Sequence, residues 1–416
     1  MTREDFKKIL SENKPFILDG STGANLMKAG MPNNVCPELW IIENSGILAD
    51  LQKRYVESGS MAVCTPTLGA NRESLKRYGL NSRTEEINRK LVEITKNAVD
   101  GKAYVMGDIC PSGLFMKPYG EATFEQIYDI FYEQAKIHDD AGVDMFIIET
   151  QLSLAETRAT VLAIRDVCDK PILACMTVDE KGVTMGGNKI SACLIALSAL
   201  GVDAAGCNCS LGPKIMLDVL NNAKKYSAVP LIAKANAGKP HGTGKDMHFD
   251  VNAQDFYSAC VELAQSGVQI IGGCCGTTPE YISLLRDLEF KANSESDISM
   301  IAANEKDIFY IGNDIIDKLT DIAVIECSPN LEEDIMDALD DEAGIIRLRV
   351  NNIEDADILL ENSFLINVPL MLGSDNKEAL NMALRKYSGR VIIDPECNIF
   401  DTANDLRNKY NPVFIR

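Results

Sequence analysis

The sequence lacks any apolar run near the roughly 20 residues that cross a bilayer. Its first residues, MTREDFKKILSENKPF, have no apolar core of signal-peptide length. A cytosolic protein with no membrane contact is therefore expected. Basic residues are in deficit, with 41 Lys and Arg against 61 Asp and Glu and a net charge of −20. That surface repels phosphate, which excludes nucleic acid and anionic lipid as expected partners. No glycine-rich phosphate fingerprint follows a strand-like run, which counts against a doubly wound nucleotide-binding sheet. Thirteen cysteines in 416 residues are too few for a dense disulfide scaffold. Most of them, including Cys64, Cys168, Cys175, Cys193 and Cys260, stand in apolar surroundings and read as small core residues.

What the sequence does contain is alternation. Eight short runs rich in Val, Ile, Leu and Phe, at 15–20, 61–66, 103–108, 144–150, 171–177, 202–208, 230–236 and 268–274, are separated by segments of helical periodicity. Their continuous apolar character suits strands buried on both faces of a parallel sheet. The expected fold is α/β: a (β/α)8 TIM barrel over residues 1–290, with an open doubly wound sheet as the alternative. Residues 291–307, KANSESDISMIAANEKD, are expected to link it to a small C-terminal α/β appendage over 308–416. Within that appendage, 321–327, 344–350, 368–374, 390–396 and 412–416 read as strands and 376–389 as an amphipathic helix. The acidic run LEEDIMDALDDEAG reads as a helix with one solvated face.

Two stretches are not explained by packing alone. AAGCNCS puts Cys207 and Cys209 at the end of the sixth run, and VQIIGGCCGTTPE puts Cys274 and Cys275 at the end of the eighth. Functional groups of such barrels gather at the C-terminal strand ends, so closure brings Cys209, Cys274 and Cys275 together. Three thiolates suit Zn²⁺ and leave a fourth position for a substrate or water. The competing reading is ordinary core. A further one has Cys207, on the same strand face as Cys209, completing a closed four-thiolate structural zinc site.

GCNCS and IIGGCCGTTPEYI resemble the two zinc motifs of the homocysteine S-methyltransferase family. ILDGSTGANL, FIIETQLSLAETRA and KANAGKP resemble its opening turn, its Glu-Thr strand end and its Asn-Ala-Gly segment, in the same order over residues 1 to about 290. The resemblance is strongest to the homocysteine-binding barrel of cobalamin-dependent methionine synthases. It implies zinc on Cys209, Cys274 and Cys275, with Cys207 at a variable position. It also implies homocysteine as the thiol substrate, methionine as product, and Glu149, with Asp19 and Asn236 nearby, as contacts of the substrate. Read without the resemblance, Glu149 is a helix N-terminal acid and Asp19 a turn residue.

The methyl donor is where the resemblance thins. The run VPLMLGSDNKEALNMALRKYSGRVIIDPE is similar to a piece of a folate-binding barrel, but 308–416 is about half the length a barrel needs. No Asp-x-His-x-x-Gly corrinoid signature occurs around His138, His241 or His248. The expectation is a methyl group delivered by a separate methylated corrinoid protein. The alternatives are a small onium donor, S-methylmethionine or betaine, and a non-catalytic subunit in which zinc serves only structure.

Overall fold

The computed structural model describes residues 1–12, 14–242, 248–292, 296–304, 306–310, 321–398 and 404–415. Eight parallel strands form one sheet: β1 (Phe16–Ile17), β2 (Ala62–Cys64), β3 (Tyr104–Ile109), β4 (Met145–Gln151), β5 (Ile172–Met176), β6 (Ala204–Asn208), β7 (Leu231–Ala235) and β8 (Val268–Gly273). Their order is sequential from β2 to β8, and β8 then pairs with β1 in the register Phe16↔Ile270. A parallel bridge between Leu18 and Ala62 brings β1 back to β2 and nearly closes the ring. The fold is thus the expected barrel, not the open sheet. β1 is shorter than the run that announced it, because its upper end meets β2 through that single bridge.

The helices alternate with the strands as the periodicity predicts. The ones used below are α1 (Phe124–Ala141) and α2 (Leu154–Val167). A capping box starts α1, with the Thr123 side chain accepting from Gln126 N–H and the Gln126 side chain accepting from Thr123 N–H. Gly142 ends it in the left-handed conformation, φ 82°, which glycine adopts without a Cβ clash.

Strand alternation sorts the core into two parts. Phe16, Leu18, Met106, Ile147, Leu173, Ala204, Ile232 and Ile270 point inward and fill the lower barrel. The N-terminal helix Arg3–Ser11 plugs that end with Phe6 and Leu10. Outward residues such as Ile148, Ala174, Cys207 and Ala233 pack against the helices. Continuing the inward parity toward the strand ends gives Asp108, Glu149, Asn208, Lys234 and Cys274. The barrel interior is therefore apolar below and polar above.

The C-terminal part carries a second parallel sheet in sequential order: β9 (Ile322–Glu326), β10 (Ile345–Arg349), β11 (Leu370–Gly373), β12 (Ile392–Ile393) and β13 (Val413–Phe414). Within the stretch read as a linker, Ile301–Ala303 pairs antiparallel with Ile308–Tyr310. That ribbon supplies Ala302 and Phe309 to the core on one face of the sheet. The acidic run forms the helix Leu331–Asp340, which buries Leu331, Ile335 and Ala338 and leaves its acids outward. The expected helix at 376–389 is Lys377–Lys386 and stops where Tyr387 turns extended. This unit rests on α1 and α2. Arg385 stacks 4.2 Å from the Tyr128 ring, Lys409 pairs with Asp166 at 3.1 Å, and the buried Arg158 donates to Leu384 C=O at 3.0 Å.

Candidate metal centre

The three predicted cysteines come together. The sulfurs of Cys209, Cys274 and Cys275 all lie within 4.8 Å of one another, and Cys209 and Cys275 are 3.9 Å apart. Two sulfurs on a tetrahedral zinc at about 2.3 Å each are separated by roughly 3.8 Å. The triad therefore fits such an ion.

Strand β7 explains how residues so distant in sequence meet, because it lies between β6 and β8 in the sheet. Its end reaches both cysteine motifs through the backbone. Cys209 N–H donates to Lys234 C=O at 3.0 Å, and Cys274 N–H to Ala235 C=O at 2.7 Å. Asn236 Oδ1 then accepts from Cys275 N–H at 3.1 Å. Asn236, expected near the substrate, is placed here as a brace for Cys275.

The local backbone is strained where β4 and β6 end. Cys209, Ser210 and Thr150 all have left-handed φ values, 61°, 60° and 60°. Non-glycine residues in that region cost energy and mark places where surrounding contacts overdetermine the chain. The twist takes Cys209 off the strand alternation, so it does not share a face with Cys207. Cys207 instead packs outward against the helices, fully buried, and its thiol is pushed up to about 12 by burial alone. On the other motif, Gly276 sits at φ 84°, and a Cβ there would lie 2.3 Å from the Phe249 ring.

Asn208, unnoticed in the sequence beyond its motif, clamps two strand ends. Its Oδ1 accepts from Thr150 N–H at 2.7 Å, and its Nδ2 donates to Thr150 Oγ1 at 3.0 Å while pointing at Cys274 Sγ, 4.0 Å away. Hydrogen bonds from Cys274 and then Cys275 push the Cys209 thiol down to about 3. The same contacts push Cys274 well up, and Cys275 up to about 12. The cluster thus shares its protons around one thiolate.

Just inside the barrel lies a charged group that the sequence disclosed only in part. Lys234 is 2 % exposed, and its Nζ sits 2.6 Å from Glu149 Oε2, 3.7 Å from Asp19 Oδ1 and 3.4 Å from Cys64 Sγ. Asp19 also accepts from Cys64 N–H at 2.8 Å. Asp108, Cys110 and Glu149 form a second buried cluster with donor atoms within 4.8 Å. Burial raises Asp19 and Asp108 above the ordinary carboxyl range, and it also pushes up the thiol of Cys64. Desolvation lowers Lys234, but attraction to Cys64, then Glu149 and Asp19, more than offsets it and raises the ammonium well above its ordinary range. Lys234 had one sequence signal, a charge inside the apolar run PLIAKAN. Cys64, read as core filler, is buried but belongs to this polar group.

A nearly closed parallel barrel with three clustered cysteines at its strand ends defines the class: a (β/α)8 barrel with a candidate metal site. The profile of the homocysteine S-methyltransferase family matches residues 16–288, and the chain belongs to that family. It is 29 % identical over 296 residues to methionine synthase of Mycobacterium tuberculosis (strain ATCC 25618 / H37Rv), covering 67 % of this chain and 25 % of that protein. Methionine synthase of Mycobacterium leprae (strain TN) is 28 % identical over 282 residues, covering 64 % and 23 %. The chain thus matches about a quarter of the length of these relatives. Among solved structures it resembles the homocysteine methyltransferase MmuM from Escherichia coli in its metallated form. The TM-score is 0.58 at 19 % identity, over 68 % of this chain and 98 % of that one, a likeness of fold.

Proposed function

We propose that this chain methylates the thiol of homocysteine to give methionine, with zinc held by Cys209, Cys274 and Cys275. The observation that carries the reading is the thiol triad, spaced for a tetrahedral ion and braced by β7. Bound zinc would supply one thing, a substrate sulfur kept as thiolate at neutral pH, which a free alkyl thiol is not. The chain's own residues do the rest. Asn208 fixes the β4 and β6 ends against each other beside Cys274. Glu149, 2.6 Å from Lys234 and with Asp19 and Asp108 near it, offers acceptor oxygens that suit an incoming ammonium. The substrate's thiol and amine are then held at two ends, leaving the sulfur lone pair facing the barrel mouth. That lone pair takes the methyl carbon, and the donor leaves with the electrons of the broken bond.

For the donor we propose a methylated corrinoid on a separate protein. The support is the similarity to methionine synthases over the barrel region, together with a second sheet of five strands that does not close among the described residues. The test supplies the purified chain with homocysteine and, separately, methylcobalamin, methylfolate, S-methylmethionine or betaine, and measures methionine. Turnover with methylcobalamin and none with methylfolate alone is expected. Turnover on methylfolate without corrinoid refutes the proposal, and faster turnover on S-methylmethionine or betaine replaces it with a small-donor reaction.

A further inference from the structure

A cavity of about 520 Å³ opens between the barrel rim and the C-terminal unit, within the size range of small-molecule sites. Neither the thiol triad nor the acids around Lys234 line it. Its barrel walls are the loop after β3, with Phe115 and Tyr119, the start of α2, with Glu156, and the loop after β5, with Met185. Leu360 and Ser363 close it from the other side, so the cavity exists only where both units meet.

Two observations point to a ligand. The first is the apolar rim. Phe115, Tyr119 and Met185 are 63 %, 61 % and 69 % exposed, an arrangement that leaves large apolar surface in water around one opening. The second is Glu156, only 6 % exposed. Its Oε1 accepts from both Ser112 N–H and Ser112 Oγ–H at 2.7 Å, while its Oε2 has no partner among the described residues. The two lysines of the cavity are engaged elsewhere. Lys117 pairs with Glu361 at 2.6 Å, and Lys306 donates to Phe364 C=O at 3.2 Å. One carboxylate oxygen in an apolar pocket thus remains without a cation or a donor.

We propose that this cavity binds a small organic cation with N–H donors on an apolar or aromatic frame. The N–H edge meets Glu156 Oε2, and the frame lies against Phe115, Tyr119 and Met185. Aromatic faces favour cations and carboxylates favour charged donors, so the two features select the same ligand chemistry. Glu156 disfavours an anion at its own end of the cavity, and the apolar lining discriminates against small hydrated ions. Because Leu360 and Ser363 belong to the C-terminal unit, occupancy also fastens that unit to the barrel, as the Lys117–Glu361 pair already does.

The probe is 4-aminobenzamidine, a fluorescent aromatic amidinium, titrated into the full chain. Saturable binding is expected. Glu156→Gln keeps an acceptor for Ser112 but removes the charge, and should weaken binding roughly tenfold. Phe115→Ala, at an exposed position that folding does not need, should weaken it severalfold. Benzyl alcohol, with the ring but no cation, should not compete, and Cys274→Ala should bind the probe as wild type does. Absence of saturable binding overturns the proposal. So does unchanged affinity in Phe115→Ala, or in a Glu156→Gln variant shown by circular dichroism to be folded.

Discussion

Replacing Lys234 with Met tests whether the charged group below the thiols is a balanced unit. Methionine keeps most of the apolar stem and removes the ammonium, so packing loss is small. What remains is Glu149, deprived of a partner 2.6 Å away, beside Asp19 and Asp108. Removing one member of a buried ion pair destabilises by about 3–5 kcal/mol, because the other charge stays behind. The pH dependence follows from the direction of the shifts. Asp19 and Asp108 already have folded-state pKa values raised by burial. A raised carboxyl contributes its stability below the ordinary carboxyl range and loses it as pH rises through the folded value. Without Lys234 these carboxyls rise further, so the penalty is larger at about pH 7.5 than at about pH 5, where protons return. Denaturant unfolding of wild type and Lys234→Met at both pH values measures it. Adding Glu149→Gln to Lys234→Met should cost less than the two single penalties summed, the signature of direct coupling. A penalty below about 1 kcal/mol, or one equal at both pH values, refutes the reasoning, since surface pairs behave that way.

Metal analysis should find about one zinc per wild-type chain and a large loss in Cys274→Ala; zinc retained unchanged in that variant excludes the triad. Cys207→Ser should keep both zinc and activity, because that thiol packs outward against the helices. Glu149→Gln should weaken homocysteine binding by roughly tenfold or more while zinc stays bound, and equal affinity removes the substrate role. In zinc-free protein the lowered Cys209 thiol should still react with iodoacetamide near pH 6, where Cys274 and Cys275 stay protonated. Peptide mapping that finds all three equally slow contradicts the shared-proton arrangement.

The barrel was legible because each strand is a continuous apolar run and each helix a clean amphipathic one. A parallel sheet buried on both faces writes that pattern directly into the chain. The cysteine triad was legible for a narrower reason. Thiols at the ends of strands are rare enough to notice, and their family motifs are short and specific. Lys234 was not legible in its role, because partners more than 80 residues away define it and no local pattern announces them. Asn236 shows the same limit. Its motif was readable, but only three-dimensional placement reveals that its carbonyl oxygen holds the Cys275 backbone. The separation of Cys207 from Cys209 was hidden too. Strand alternation places the two on one face, and the left-handed φ at Cys209 overrides it.

Three thiolates around one Zn²⁺ carry a net charge of about −1. Immediately below them lie three carboxyl groups and a single lysine. The Glu149 carboxylate already helps push the Cys275 thiol up, so the two groups interact electrostatically. A site this negative disfavours a second anion, yet its proposed substrate must arrive as a thiolate. An amino-acid thiol resolves the conflict because it brings its own ammonium. In the proposed pose the ammonium sits near Glu149 while the sulfur reaches the triad. A simple alkyl thiol offers the sulfur without the ammonium and leaves the acids unmatched. The proposed reaction therefore expects selectivity for an aminothiol, with Lys234 setting the charge balance through its contacts with Glu149 at 2.6 Å and Asp19 at 3.7 Å.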